Sequence, residues 1–347
     1  MPKQEQSSIV TAAEARQLFA DWASAPAIVL AVSGGPDSVA LMWLAARWRH
    51  ARKTGPRLVA VTVDHGLRQE SAREARGVRQ LAKALGLDHM TLRWTGEKPK
   101  TGLPSAARDA RYKLLARAAR RHDASHVFTA HTQDDQAETV IMRLSRGSGL
   151  AGLGAMARQS ARDDMVLARP LLGVPKSRLI ATLKKAGISF ADDPTNRDPR
   201  YTRPRLRALM PALAAEGADA RNLARLASRL ARANAALDIM TDGAEQYLAS
   251  IDHGTGFDLA AFSVLADEIR VRLLWRAINR IGHEGPAELG KVEALLLAVD
   301  QASADRRSAR GAVRLKLTLA GAVITILKGR IHVLPAPQRR KKPGKNA

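Results

Sequence analysis

Residues 28–40 read IVLAVSGGPDSVA. The apolar run Ile28 to Val32 predicts a buried strand, and from Ser38 to Arg49 apolar residues recur at helical spacing. Between them lies Ser33-Gly34-Gly35-Pro36-Asp37-Ser38, a turn from strand to helix. Its glycines let backbone amides approach a ligand closely, and Pro36 suits the first helical turn, where no amide hydrogen is required. Ser33 and Ser38 add hydroxyls, so the stretch has the parts of an anion cradle at a helix amino terminus. An ordinary Gly-rich turn is the plain alternative. No Gly-Lys-Ser/Thr follows and the GxGxxG spacing is absent, so this is neither a Walker loop nor a dinucleotide fingerprint.

Working outward, the pattern repeats. Ile28 to Val32, Leu58 to Val63, His89 to Trp94 and His126 to Ala130 read as strands. Ser38 to Arg49, Ser71 to Leu85, Ser105 to Arg121 and Asp134 to Arg146 read as helices. Such alternation predicts an α/β fold with an open parallel sheet, whose ligands gather in the loops after Val32, Val63 and Ala130. The charged, proline-bearing stretch GISFADDPTNRDPRYTRPRLR from Gly187 reads as a connector. Leu223, Leu226, Leu230 and Leu237 then mark a long helix; Ile269 to Ile281 and Val292 to Val299 mark two more. Arg314 to Leu319, Ala322 to Leu327 and Arg330 to Leu334 alternate around Gly321 and Gly329 as a small antiparallel meander, and the last residues, RRKKPGKNA, read as a disordered tail. The expected division is an N-terminal segment 1–24, a catalytic domain 25–186, a connector 187–210, a mainly helical extension with the β meander 211–335, and a basic tail 336–347.

The 347 residues are about two domains' worth, and 46% hydrophobic with 26% charged is a globular composition. Lys+Arg 56 against Asp+Glu 33 leaves +23, which favours a polyanionic partner, with nucleic acid foremost. Cys is 0, so disulfides, thiolate metal sites and sulfur relays within this chain are excluded. Aromatic residues at 4% limit any base-stacking platform. MPKQEQSSIV lacks a secretory apolar stretch and the longest apolar run, Leu317 to Leu327, is too short for a bilayer, so a cytoplasmic protein without a membrane partner is expected.

Other loops carry chemistry-bearing residues. Asp64 and His65, in DHGLR, end the second strand. Arg108 and Arg111, in ARDARY, are three apart on one helix, where a solvated face is the plain reading. In TAHTQDDQAET, His131 occupies the rim of the sheet. Asp134 or Asp135 can cap the helix that follows, yet Asp135 and Glu138 also share a face, a candidate pocket for a small cation. Arg221, Arg225, Arg229 and Arg232 form a basic stripe at spacings of four, four and three, either a solvated face or a contact for RNA phosphates.

SGGPDS resembles the signature of the PP-loop ATP pyrophosphatase superfamily, a Rossmann-like fold that binds ATP and transfers AMP. The resemblance implies that Ser33, Gly34, Gly35, Pro36, Asp37 and Ser38 grip ATP with Asp64 and His65 nearby, and that Asp37 meets the triphosphate through Mg²⁺. With DHGLR, ARDARY, TAHTQDDQAET, RGSG at 146–149, RPLL at 169–172, DDPTN at 192–196 and Tyr201/Arg203/Arg207, the chain resembles the tRNA(Ile)-lysidine synthetase family over about residues 25–211. That family joins free L-lysine to the wobble cytidine of a CAU-anticodon isoleucine tRNA, through an adenylated intermediate and with release of AMP and pyrophosphate.

The catalytic group then implied is Asp37, Arg111, His131 and Asp135, with His131 one candidate base and a substrate phosphate the other. Asp135 and Glu138 would hold the lysine ammonium; Arg203, Arg205 or Arg207 would hold its carboxylate; and Arg108 with the stripe would meet tRNA. Three positions depart from the family pattern: Thr132 stands where a second His is common, Thr195 where Ser is common, and Pro204 where Asn is common. Thiolating relatives need cysteines that this chain lacks, amide-forming ones have no use for +23, and a catalytically dead RNA-binding module would not keep SGGPDS and TAHTQDDQAET intact.

Overall fold

A computed structural model describes residues 8–66, 71–99, 101–162, 164–191, 198, 200, 202–251, 256–304 and 315–337. Leu67 and Arg68 of DHGLR, the DDPTN stretch 192–196, Tyr201, Arg314 and the basic tail from 338 lie outside the described residues. The chain forms two compact units. One comprises the described residues up to Gly147 with Gly152–Arg229, and the other comprises Ser148–Ala151 with the described residues from Leu230 on.

In the first unit, α1 (Ala12–Phe19) leads into β1 (Ala27–Ala31), α2 (Pro36–His50), β2 (Arg57–Asp64), α3 (Ser71–Ala84), β3 (Asp88–Arg93), α4 (Leu103–Arg121), β4 (His126–Phe128) and α5 (Gln133–Leu144). The short α6 (Leu150–Leu153) and the long α9 (Ala220–Ile251) both span the division between units, and between them come β5 (Gln159–Arg162), β6 (Met165–Ala168), α7 (Lys176–Lys185) and α8 (Thr202–Ala215). The sheet order is β3-β2-β1-β4-β6-β5, parallel except for the edge pair β5–β6. Every residue of β1 is buried, as expected of a strand covered on both faces. Ile28 and Leu30 pack on one side with Phe19, Leu41, Trp48, Phe128 and Leu179. Val29 and Ala31 pack on the other with Tyr112, Leu115 and Leu167. From β1 the chain builds outward through β2 and β3, then crosses to β4 on the opposite side. The order therefore reverses between β1 and β4, and a crevice opens at their carboxyl ends.

In the second unit, β7 (Phe257–Asp258), α10 (Leu259–Ser263), α11 (Asp267–Ile281) and α12 (Leu289–Ala304) precede β8 (Leu315–Leu319), β9 (Ala322–Leu327) and β10 (Arg330–Pro335). The expected meander is present, extended by β7 into a four-stranded antiparallel sheet, β7-β10-β9-β8. Ile324, Ile326, Ile331 and Val333 pack against Ile269, Leu273, Ile278, Val292 and Val299 of α11 and α12. Gly282 is the C-cap of α11, where a Cβ would lie 2.3 Å from the Ala320 carbonyl oxygen, so no larger residue fits.

Several elements differ from the sequence reading. The stretch 187–210 is not all connector: α8 begins at Thr202, with Pro204 in its first turn, where no amide hydrogen is demanded, and Pro211 inside it. The β5–β6 hairpin has no counterpart in that reading, because four-residue strands are too short to show a period. The division between units falls at Arg229–Leu230, within α9, rather than at the connector. Leu226, expected on the core side of α9, is 44% exposed.

Candidate functional site

The crevice holds the Ser33–Ser38 loop after β1 and the Thr129–His131 segment after β4. Gly34 sits at φ +97, a conformation that L side chains rarely adopt. Ser38 organises the turn: its Oγ accepts the Ser33 and Gly34 amides at 3.1 and 3.2 Å and donates to the Gly35 carbonyl at 3.0 Å. Gly35 is the N-cap of α2 and Pro36 opens the helix.

A cavity of about 550 Å³ opens here, lined by Ser33, Gly35 to Ser38, Arg111, Thr129 to His131, Lys176 and Arg207 among others. Asp37 reaches into it from the first turn of α2. Its Oδ2 accepts from Lys176 Nζ at 2.8 Å, whereas its Oδ1 is buried with no hydrogen-bond partner among the described residues. Burial pushes the Asp37 carboxyl above its usual range, against the pull of the Lys176 ammonium. An acceptor oxygen left buried without a donor is costly unless a ligand completes it. This oxygen suits a hard divalent cation, which takes one or two carboxylates and fills its shell from phosphates and water. No cluster of three or more His, Cys, Asp or Glu able to hold a metal occurs among the described residues, so phosphate would have to share in any such site.

The sequence reading missed Lys176. A cation in the first turn of a helix opposes the macrodipole, and that mismatch at a Pro-Lys pair was the one local signal. Its amide donates to Asp134 Oδ2 at 2.8 Å, so Asp134 caps α7.

Thr132 and Asp135 form a capping box on α5: Asp135 Oδ2 accepts the Thr132 amide at 2.8 Å and its hydroxyl at 3.0 Å. The residue that departs from the family pattern therefore holds Asp135 in place. Glu138, buried, is gripped by the Arg207 guanidinium, with Nε against Oε1 and Nη2 3.3 Å from Oε2; Arg207 Nη2 also lies 3.8 Å from Asp135 Oδ1. Burial raises the Glu138 pKa and Arg207 partly offsets it. Burial would lower the Arg207 pKa, but Glu138, Asp135 and Asp37 together raise it.

Of the other two candidate arginines, Arg203 acts on Glu138 through its charge, and Arg205 is exposed with Nη1 donating to the Arg200 carbonyl at 3.2 Å. Arg111 lines the cavity, its pKa lowered by burial and by the neighbouring Arg108. Arg108 is exposed and lies over the Tyr112 ring at 5.0 Å.

Asp64 and His65 lie outside the residues lining this cavity. Asp64 Oδ1 accepts the Gly66 amide at 2.8 Å, a local turn contact, and His65 packs edge-on against Trp94 with its pKa lowered by burial and by Arg111. The stripe Arg221, Arg225, Arg229 and Arg232 is exposed on α9, and the first two also line a second cavity of about 490 Å³.

The model of a PP-loop domain family matches residues 8–213. The chain is 67% identical to a tRNA(Ile)-lysidine synthase of Rhodopseudomonas palustris over 334 residues, covering 95% of this chain and 96% of that protein. A tRNA(Ile)-lysidine synthase of Bradyrhizobium diazoefficiens is 64% identical, covering 97% and 98%. A solved U34-tRNA thiolase from Methanococcus maripaludis, bearing a [4Fe-4S] cluster, superposes with a TM-score of 0.54 at 17% identity over 64% of this chain and 78% of that one, a likeness of fold alone.

Proposed function

Since this chain belongs to the tRNA(Ile)-lysidine synthase family of PP-loop proteins, we infer that it is an ATP-dependent ligase joining free lysine to C2 of the wobble cytidine in a CAU-anticodon isoleucine tRNA. The observation that carries this reading is one cavity that gathers the phosphate loop, Asp37 with its unpartnered oxygen, Lys176, Arg111 and Arg207. Cationic and acidic groups are both needed for a reaction between a triphosphate and an amine.

In the first step the cytosine O2 attacks the α-phosphorus of ATP; the O–P bond forms as the bond to pyrophosphate breaks. The amino terminus of α2, the Ser33 hydroxyl and the Lys176 ammonium hold the departing pyrophosphate around a turn that Ser38 keeps in shape, while Arg111 offsets charge on the α-phosphate. Asp37 would hold Mg²⁺ through Oδ1, which would neutralise triphosphate charge there. In the second step the lysine ε-nitrogen attacks C2 and the C2–O bond breaks, the oxygen leaving with AMP. Glu138 and Asp135 receive the lysine ammonium and Arg207 its carboxylate, which requires Arg207 to exchange its partner Glu138 for the substrate. Among the described residues no helix is long and apolar enough to cross a membrane, and the exposed arginines of α9 offer phosphate contacts to the tRNA.

Incubation of the protein with ATP, labelled lysine and mixed tRNAs tests the reading. Label should enter the CAU-anticodon isoleucine tRNA alone and in proportion to AMP formed; label in no tRNA would overturn it.

A further inference from the structure

His131 lines the cavity at the carboxyl end of β4, and its two ring nitrogens are not equivalent. Nδ1 lies 3.0 Å from Thr129 Oγ1, whereas Nε2 makes no hydrogen bond among the described residues and is the nitrogen left for a ligand. Thr129 is 1% exposed and its hydroxyl carries one proton, which needs an acceptor. Two are in range: His131 Nδ1 at 3.0 Å and the Ala168 carbonyl at 3.4 Å. The carbonyl already accepts the Thr129 amide at 2.9 Å, and 3.4 Å is beyond the usual reach of an O–H···O bond. Giving the proton to Nδ1 satisfies the buried hydroxyl. Giving it to the carbonyl leaves a long, poor bond. The ring proton then resides on Nε2.

We propose that His131 is a neutral hydrogen-bond donor, presenting Nε2–H to an anionic phosphate oxygen in the cavity, and that Thr129 is the positioning residue that fixes this tautomer. The assignment rests on the ligase reading above for its ligand, and on Thr129 alone for its proton. The charges around the ring keep it neutral. Burial is the largest influence and lowers its pKa; Asp135 on α5 raises it; Arg169 after β6 and Arg111 and Arg108 on α4 lower it further, leaving it at about 3. Such a ring is a poor acceptor for the proton of a lysine ammonium, whose ordinary pKa is ~10.4. As a donor it needs no change of protonation state, and a neutral imidazole can stabilise developing negative charge. The amine proton is then left to a substrate phosphate.

Two measurements test this. Gln can donate from its amide but cannot act as a base at neutral pH, so His131→Gln should keep AMP-forming ligation within about tenfold of wild type, where His131→Ala loses ~10²–10³. Equal loss in the two variants, both with unchanged thermal melts, would overturn the donor role. ¹⁵N-histidine NMR of the full chain without substrates reads the tautomer directly. The His131 signals should show protonated Nε2 and bare Nδ1 from pH 6 to 8, with Thr129→Val disturbing that state and Thr129→Ser preserving it. A protonated Nδ1 at neutral pH would overturn the tautomer. Failure of the wild type to transfer lysine would instead overturn the ligase reading and the phosphate assigned to Nε2–H, while the NMR result still decides where the proton lies.

Discussion

Basic and acidic side chains are paired in two regions of this molecule to different ends. In the second unit, Arg272, Arg276 and Arg280 of α11 meet Asp238, Asp242 and Glu245 of α9 at 2.8, 2.6 and 2.6 Å. Spacings of about one helical turn on both helices let successive pairs stack as a ladder. Its acids are half-exposed or exposed, so water covers what the pairs leave unmet. In the cavity of the first unit, Glu138 is 4% exposed in its side chain, and Asp37 keeps a buried oxygen with no donor among the described residues. Burying charge without full compensation costs stability, so such an arrangement persists where a ligand completes it. The ladder holds two helices together; under the proposed reaction the cavity pairs are exchanged for substrate.

The largest effect that would separate the two regions belongs to Asp37→Asn. AMP formation should fall ~10²–10³, yet the thermal melt should stay level or rise. The sign follows from the raised pKa: the folded state binds the Asp37 proton more tightly than the unfolded chain, so ionisation destabilises the fold as pH rises through the folded value. Removing the charge lifts that cost at neutral pH. A clearly lowered melting temperature would place Asp37 among structural pairs like those of the ladder.

Glu138→Gln comes next. Loss of a charge-assisted hydrogen bond is worth ~1.5–3 kcal/mol, or roughly 10–100-fold, and it should appear in the lysine requirement with the ATP requirement little changed. An equal rise in both would show that Glu138 supports the cavity as a whole rather than the amino acid.

A smaller change is expected on the first turns of α9, whose arginines are exposed. Reversing Arg225 and Arg229 to Glu should weaken tRNA binding across sequences and flatten its salt dependence by about 0.9 in log–log slope for each phosphate no longer neutralised. Preference for the CAU anticodon should survive, because phosphate contacts position rather than specify. An unchanged slope in a filter-binding titration would return these residues to a solvated face.

The smallest effect belongs to the ladder itself. Arg276→Ala, at a half-buried arginine whose acid partners reach water, should cost about 1 kcal/mol in denaturant unfolding, with lysine transfer intact. A larger loss, or any loss of transfer, would erase the contrast between the two regions.

Much of this was legible along the chain. Five consecutive apolar residues, a turn built of glycine, proline and serine, and resumed helical spacing determined β1, the phosphate loop and α2, because each rests on interactions within a few residues. The same holds for α5 and for the alternating strands of the second unit. What tertiary structure decided were pairings between distant positions. Lys176 meets Asp37 across 139 residues and Arg207 meets Glu138 across 69, and no local period carries that information. Local pattern left Asp134 and Asp135 open between capping and ligand binding; packing made Asp134 the cap of α7 and placed Asp135 both in the box of α5 and beside Arg207. Local propensity comes from each residue's own backbone and near neighbours, whereas the carboxylate that a lysine or arginine finds depends on which helices the closed core brings to the same crevice.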